Sequence, residues 1–176
     1  FAERLSIPVA TSNSGKGSIA ETHDLALGST GRYSRNYANA ALRDADVILA
    51  VGTALGGMVT DSYKLVTPST RVIHVSIDPD VIGMNFPTEI GLVSDARAFL
   101  DAALDAAIRL EVLPSPAAVD HATKLAAERA AWHERRVGLA AQDGLDGNPM
   151  RPEAIMATLD RRLADVPLND RHANVR

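Results

Sequence analysis

Three mainly apolar runs, each ended by a small or acidic residue, constrain the fold of this chain most. They are Val47–Val51 (VILAV), residues 72–77 (VIHVSI) and Ile90–Val93, which end at Gly52, Asp78 and Ser94-Asp95 respectively. Strands that are apolar on both faces are typical of a parallel sheet covered on each side. The runs therefore predict neighbouring parallel strands whose carboxyl ends meet at one edge of a sheet.

Helical patterns lie before and after these runs. Apolar residues follow helical spacing in residues 37–43, and a longer apolar stripe extends from Phe99 to Ile108, with Asp95 placed to cap its helix. Residues 1–5 indicate the end of a helix, and residues 7–11 a short strand. Strands that alternate with helices predict an α/β fold, a Rossmann-like open parallel sheet with flanking helices.

The C-terminal third predicts a different organisation. Residues 117–141 favour one long helix, and residues 148–163 favour a loop and a further helix with Pro152 in its first turn, where a missing N–H is tolerated. Residues 165–176 show no pattern. We therefore predict a domain over residues 1–112 and an α-helical linker over residues 113–176.

Composition excludes several classes of protein. The 176 residues carry a net charge of -4 without a basic run, so the chain lacks the electrostatic footprint that nucleic acid requires. Cysteine is absent, which excludes disulfides and Cys-ligated metals and fits a reducing compartment. Apolar runs fall well short of the roughly 20 residues of a membrane span. We expect a cytoplasmic protein without a nucleic-acid or membrane partner.

Familiar catalytic motifs do not fit the sequence. Gly15-Lys16-Gly17 resembles a phosphate-binding loop, but that motif needs glycine where Ala10 stands and Ser or Thr where Gly17 stands. The five histidines are not spaced as metal ligands on a helix, and His74, inside an apolar run, is interpreted as a hydrogen-bonded sheet residue. We predict no catalytic residue and no metal-binding residue in this chain.

Small and acidic residues at the ends of elements are the better candidates for a ligand site. Ligands of open parallel sheets bind outside the carboxyl ends of the strands, where small residues let them approach backbone N–H groups. The alternative is that the glycines only form the tight turns of the architecture, and spacing alone leaves both interpretations open. The candidates are Gly28, Ser29, Thr30, Gly31, Gly52, Thr53, Ser94 and Asp95.

Several blocks in order carry a resemblance to a known family. IPVATSNSGKG, HDLALGSTGRY, ANAALRDADVILAVGTAL and RVIHVSIDPDVIGMNFPTEIGLVSDARAFLDAAL closely resemble the central domain of thiamine-diphosphate enzymes. That group includes acetolactate synthases, pyruvate oxidase and oxalyl-CoA decarboxylase. The resemblance covers about residues 1–110, and the segment from Asn148 to Glu153 continues it more loosely.

The resemblance implies a parent enzyme of three domains in which thiamine diphosphate and magnesium are held by the outer two. An N-terminal domain supplies a glutamate to the pyrimidine ring, and a C-terminal domain supplies a G-D-G motif for the diphosphate and the metal. We expect both domains to be absent from this chain, and the central domain to lack its opening strand before Phe1. The resemblance further implies a homo-oligomeric parent.

In the family the central domain binds FAD or ADP, or is empty. The candidate residues named above match the positions of the family's FAD contacts, and the resemblance adds Asp78 as a further candidate. The FAD binders usually have arginine where Ala54 stands and often have Met-His where Ser29-Thr30 stand. A lost charge-assisted contact costs about 1.5–3 kcal/mol, so the sequence favours an empty or nucleotide-binding crevice over a flavin site.

The expected function is that of a central structural domain in an acetolactate-synthase-like enzyme. Such an enzyme joins or decarboxylates 2-keto acids, and this chain alone is expected to be catalytically incomplete. Two alternatives remain. The chain could be a nucleotide-binding module for FAD, ADP or NAD, or a structural remnant that binds no ligand.

Overall fold

The structure, a computed structural model, describes residues 1–143 and 151–163. The chain forms two compact units, Phe1–Arg129 and Ala130–Arg176. Residues 165–176, for which the sequence shows no pattern, lie outside the described residues, and the domain boundary near residue 112 stays a prediction. The elements are α1 (Ala2–Leu5), β1 (Val9–Thr11), β2 (Ala26–Ser29), α2 (Asn36–Arg43), β3 (Val47–Val51), β4 (Arg71–Ser76), β5 (Ile90–Val93), α3 (Ala96–Arg109), α4 (Pro116–Asp143) and α5 (Pro152–Leu163).

The three apolar runs form one parallel sheet in the order β3-β4-β5. Ile48 is in register with Val72, and His74 with Gly91, so the strands end at the same edge. The predicted α/β class and the parallel alignment of the runs are confirmed. The bounds of β3 and β5 agree with the prediction, and β4 begins and ends one residue earlier than predicted.

One face of this sheet carries the main core. The cluster contains Ile48, Ala50, Leu55, Val66 and Val72, all buried. Burial of one aliphatic side chain of this size stabilises the fold by about 1.5–3 kcal/mol. The segment between β3 and β4 contributes Leu55 and Val66 to the cluster, which anchors both ends of that connection to the core.

The strands β1 and β2 form a second parallel sheet of two strands, with an irregular register between Val9 and Ala10. The sequence predicted β1 but missed β2. This strand has only four residues, its first three are buried, and one of them is Gly28, so it shows neither alternation nor a long apolar run.

The helices begin where their sequences predict. The Asp95 side chain accepts a hydrogen bond from the Ala98 N–H and caps α3, as expected.

Within the second unit, Arg136 donates to Glu153 at 2.6 Å and lies 5.3 Å from the centre of the Trp132 ring. Among the described residues, no helix is both long and apolar enough to span a membrane.

Candidate ligand crevice

A crevice of about 280 Å³ opens at the carboxyl ends of β3, β4 and β5. Residues that follow three parallel strands meet there because the strands end at one edge. Its volume is just below the usual range of about 300–1,000 Å³ for small-molecule pockets. The lining residues are Gly52, Thr53, Ala54, Ser76, Ile77, Val81, Ser94, Asp95 and Ala96.

The wall after β3 depends on the backbone of Gly52 and Thr53. Gly52 has φ 63°, a left-handed conformation that favours glycine, and a Cβ built there meets nothing within 4 Å. Its N–H donates to the Val75 carbonyl at 2.9 Å, which ties this turn to β4. The turn therefore presents bare backbone to the crevice, as a ligand that approaches closely would require.

The acidic candidates are used as local caps. An Asp78 carboxylate oxygen accepts from the Asp80 N–H at 3.0 Å, and Asp95 accepts from the Ala98 N–H at 3.0 Å. Ser76 accepts from the Asp78 N–H at 3.1 Å through its hydroxyl. These bonds hold the turns after β4 and β5 in shape, and each carboxylate has a second oxygen that can accept from a ligand hydroxyl.

The crevice is weakly acidic. Its nine lining residues include Asp95 and no Lys, Arg or His, and the nearby Asp78 adds a second carboxylate. Carboxylates accept hydrogen bonds from hydroxyl and amino groups and repel phosphate. The lining therefore suits an uncharged, hydroxyl-bearing group such as a ribose better than a diphosphate.

The cofactor of the resembled enzymes does not fit the described residues. Residues 1–143 and 151–163 contain no group of three or more His, Cys, Asp or Glu that could hold a metal ion. In such sites magnesium is held by one or two carboxylates together with the diphosphate, and among the residues that line the crevice no lysine or arginine would share the charge of a diphosphate. We therefore derive no catalytic step through thiamine diphosphate from this chain.

The four candidates at Gly28–Gly31 lie in the other sheet, at the carboxyl end of β2, and do not line the crevice. Asn39 holds this turn by accepting from the Gly31 N–H at 2.8 Å and donating to the Gly31 carbonyl at 3.0 Å. Thr30 is buried, and its N–H donates to the Thr11 carbonyl at 3.1 Å. The turn is thus closely packed by the protein's own groups.

Arg35 covers the start of this turn. A Cβ built on Gly28, whose φ is 78°, would lie 2.7 Å from an Arg35 guanidinium nitrogen. The guanidinium donates to Glu21 at 2.7 Å and to the Tyr37 hydroxyl at 3.1 Å. Burial acts to lower the pKa of Arg35, but Tyr37 and Glu21 outweigh it and hold that pKa above the ordinary value of arginine. A fixed cation therefore lies against β2.

The structure brings four of the nine candidates into the crevice, namely Gly52, Thr53, Ser94 and Asp95. Asp78 follows a lining residue, Ile77. The nine candidates omitted five lining residues, which are Ala54, Ser76, Ile77, Val81 and Ala96. Ala96 could have been found as the first residue of the helix that Asp95 caps. Val81 lies in a short 3-10 turn (Pro79–Val81), which the sequence pattern does not predict.

Comparison with known proteins agrees with this architecture. Residues 1–103 match the model of a family described as thiamine pyrophosphate enzyme, central domain. The match covers more than half of the chain and includes every strand of both sheets. The chain therefore belongs to this family of central domains.

Several similar proteins of known name are acetolactate synthases. The chain is 31% identical over 171 residues to a probable acetolactate synthase large subunit of Methanocaldococcus jannaschii, covering 94% of this chain and 26% of that protein. It is 31% identical over 178 residues to the mitochondrial acetolactate synthase of Schizosaccharomyces pombe, covering 94% and 25%. Acetolactate synthase isozyme 3 large subunit of Escherichia coli is 36% identical over 103 residues, covering 58% and 18%. The chain thus spans about a quarter of the first two relatives.

Proposed function

We propose that this chain works as the central domain of a larger thiamine-diphosphate-dependent enzyme that acts on 2-keto acids. The match of residues 1–103 to the family of central domains carries this proposal. Thiamine diphosphate, when bound with magnesium, supplies the carbanion chemistry of such enzymes, and the protein supplies binding and orientation. The share of this chain is to position neighbouring domains that hold the cofactor.

The partners of the chain follow from this proposal. They are an N-terminal pyrimidine-binding domain, a C-terminal diphosphate-binding domain and further copies of the same subunit. The relatives support the first two, because they are about four times as long as the segment that this chain matches. A cytoplasmic location stays a prediction.

The test is the reaction of the whole protein that contains this chain. With pyruvate, thiamine diphosphate and Mg²⁺, we expect carbon dioxide release and formation of acetolactate, both detected by product analysis. Omission of thiamine diphosphate is the control and should abolish both products. A whole protein that is folded and cofactor-loaded but converts no 2-keto acid would contradict the proposal.

We also propose that the crevice binds the nucleoside part of ADP or of a similar nucleotide. Its position at three strand ends, the bare backbone at Gly52 and the carboxylates of Asp78 and Asp95 support this ligand. A whole FAD is less suited, since the crevice is small and Ala54 provides no guanidinium for a diphosphate. Calorimetric titration with adenosine, ADP and FAD tests this preference for ADP over FAD. Adenosine and ADP should bind with affinities within about tenfold of each other, because the acidic lining gains little from contact with phosphate.

A further inference from the structure

His74 is a buried histidine of β4 whose two ring nitrogens both have partners. The residue is only 2% exposed to solvent. Nε2 lies 2.8 Å from the Thr53 carbonyl oxygen, and the Gly83 N–H donates to Nδ1 at 3.4 Å. A carbonyl only accepts and a backbone N–H only donates, so Nε2 carries the proton and Nδ1 is bare. These two partners fix the orientation and the tautomer of the ring.

The partners of His74 belong to two different walls of the crevice. Thr53 lines the wall after β3, and Gly83 follows the turn that contributes Val81 to the wall after β4. Asn85 adds a second tie, because its side-chain amide donates to the Ala54 carbonyl at 2.8 Å. Two successive carbonyls of the first wall thus accept hydrogen bonds from side chains of β4 and its following loop.

These ties set the direction of one backbone donor. In a planar trans peptide the carbonyl and the next N–H point in opposite directions, so the Thr53 carbonyl bonded to His74 turns the Ala54 N–H away from the ring. Within residues 1–143 and 151–163 the Ala54 N–H donates no hydrogen bond. Leu55, the next residue, has φ 49°, a conformation that is unfavourable for leucine. The hydrogen bonds to the Thr53 and Ala54 carbonyls help to maintain it.

We propose that His74 is the positioning residue of the crevice, which fixes the loop after β3 so that the Ala54 N–H donates to the bound nucleotide. This inference rests on the proposed nucleotide-binding function of the crevice. His74 itself touches no ligand. It acts through the Thr53 peptide and links this wall to the turn at Gly83.

The test uses the whole protein, with ADP as the probe, and three variants. His74→Phe keeps a ring of similar size without hydrogen bonds, and His74→Gln restores a donor for the Thr53 carbonyl. Val72→Ala is the matched control, because it removes a buried side chain from the far end of the same strand. ADP affinity is measured by calorimetry, and amide exchange of residues 52–56 and 82–85 by mass spectrometry.

We expect His74→Phe to weaken ADP binding by about tenfold, the effect of one lost buried hydrogen bond, and to accelerate exchange in both segments. His74→Gln should recover ADP affinity to within about threefold and protect residues 52–56 alone. Val72→Ala should lower the unfolding temperature while ADP affinity stays within about twofold.

Unchanged ADP affinity in His74→Phe would overturn the proposal. An equal loss of ADP affinity in Val72→Ala would also overturn it, because His74 would then only stabilise the fold. If the unaltered protein does not bind ADP, the nucleotide function fails and the ligand role of His74 fails with it. The exchange pattern of the variants separates the two failures, because it reports the link between the walls without any ligand.

Discussion

A Cβ atom built on Gly31 would lie 1.8 Å from the carbonyl oxygen of Met58, so these two backbone segments are in direct contact. The next residue continues the contact, since the Arg32 N–H donates to the same carbonyl at 3.1 Å. Gly31 also has φ 104°. The glycine at this site is therefore required by packing between the turn after β2 and the connection from β3 to β4, whatever ligand the domain binds.

Replacement of Gly31 by alanine should be among the most destabilising single changes in the chain. The new methyl group meets backbone that cannot rotate away, and the conformation is strained for any L side chain, so we expect a loss of at least about 3 kcal/mol. Urea unfolding monitored by circular dichroism measures it. Gly17→Ala is the matched control, because Gly17 has φ 95° but nothing within 4 Å of a Cβ, and it should cost about 1–2 kcal/mol. Equal losses in the two variants would show that the Met58 contact is unimportant.

Asp95 offers a way to separate its capping role from a ligand role. Asp95→Ala removes the acceptor for the Ala98 N–H at the start of α3 and should destabilise the chain by about 0.5–2 kcal/mol. Asp95→Asn keeps the cap and should retain nearly full stability, yet it removes the carboxylate charge. If the crevice holds a ribose, calorimetry with ADP should detect altered affinity in the asparagine variant as well. Unaltered affinity there would limit Asp95 to capping.

The ion pair of Arg35 and Glu21 should stabilise the region around β2. Both side chains are less than one third exposed and the two groups are 2.7 Å apart, so solvent screens the pair less than an ordinary surface pair. A double-mutant cycle with Glu21→Gln and Arg35→Gln should give a coupling energy of about 1 kcal/mol from unfolding curves. Additive losses would mean that Arg35 stabilises the fold through Tyr37 and its other contacts alone.

The stability of the fold should depend strongly on Leu65, which lies in the connection between β3 and β4. Leu65 is completely buried, so Leu65→Ala should cost about 2–5 kcal/mol through lost burial and the cavity left behind. Leu110 is 68% exposed, and Leu110→Ala should change stability by less than about 0.5 kcal/mol. Thermal unfolding of the two variants checks this contrast, and similar shifts would place Leu65 outside the core.

Sequence reasoning recovers the part of the fold that depends on local apolar pattern. The bounds of β3 and β5 follow from unbroken apolar runs bounded by small or acidic residues, and the helix capped by Asp95 follows from its stripe. Strand β2 was missed because four residues with a glycine provide no periodicity. The 3-10 turn at Pro79–Val81 has too few residues to show a pattern.

The candidate site was only partly predictable because local sequence patterns do not show which strands become neighbours in a sheet. Gly52 and Asp95 follow strands that become neighbours, so a rule about strand ends finds them. Gly28 lies within β2 and Gly31 follows it, but β2 pairs with β1, so both glycines belong to the other sheet. His74 was interpreted as a hydrogen-bonded sheet residue, which the structure confirms, while its partners in two walls of the crevice required coordinates.

We propose that this chain is one structural part of an enzyme whose cofactor lies in other domains. Calorimetric titration of thiamine diphosphate with Mg²⁺, into the whole protein and into the 176-residue chain separately, tests this proposal. We expect saturable binding by the whole protein and none by the chain, although the chain should show the circular dichroism spectrum of a folded α/β domain. Tight binding of thiamine diphosphate by the isolated chain would show that the proposal is wrong.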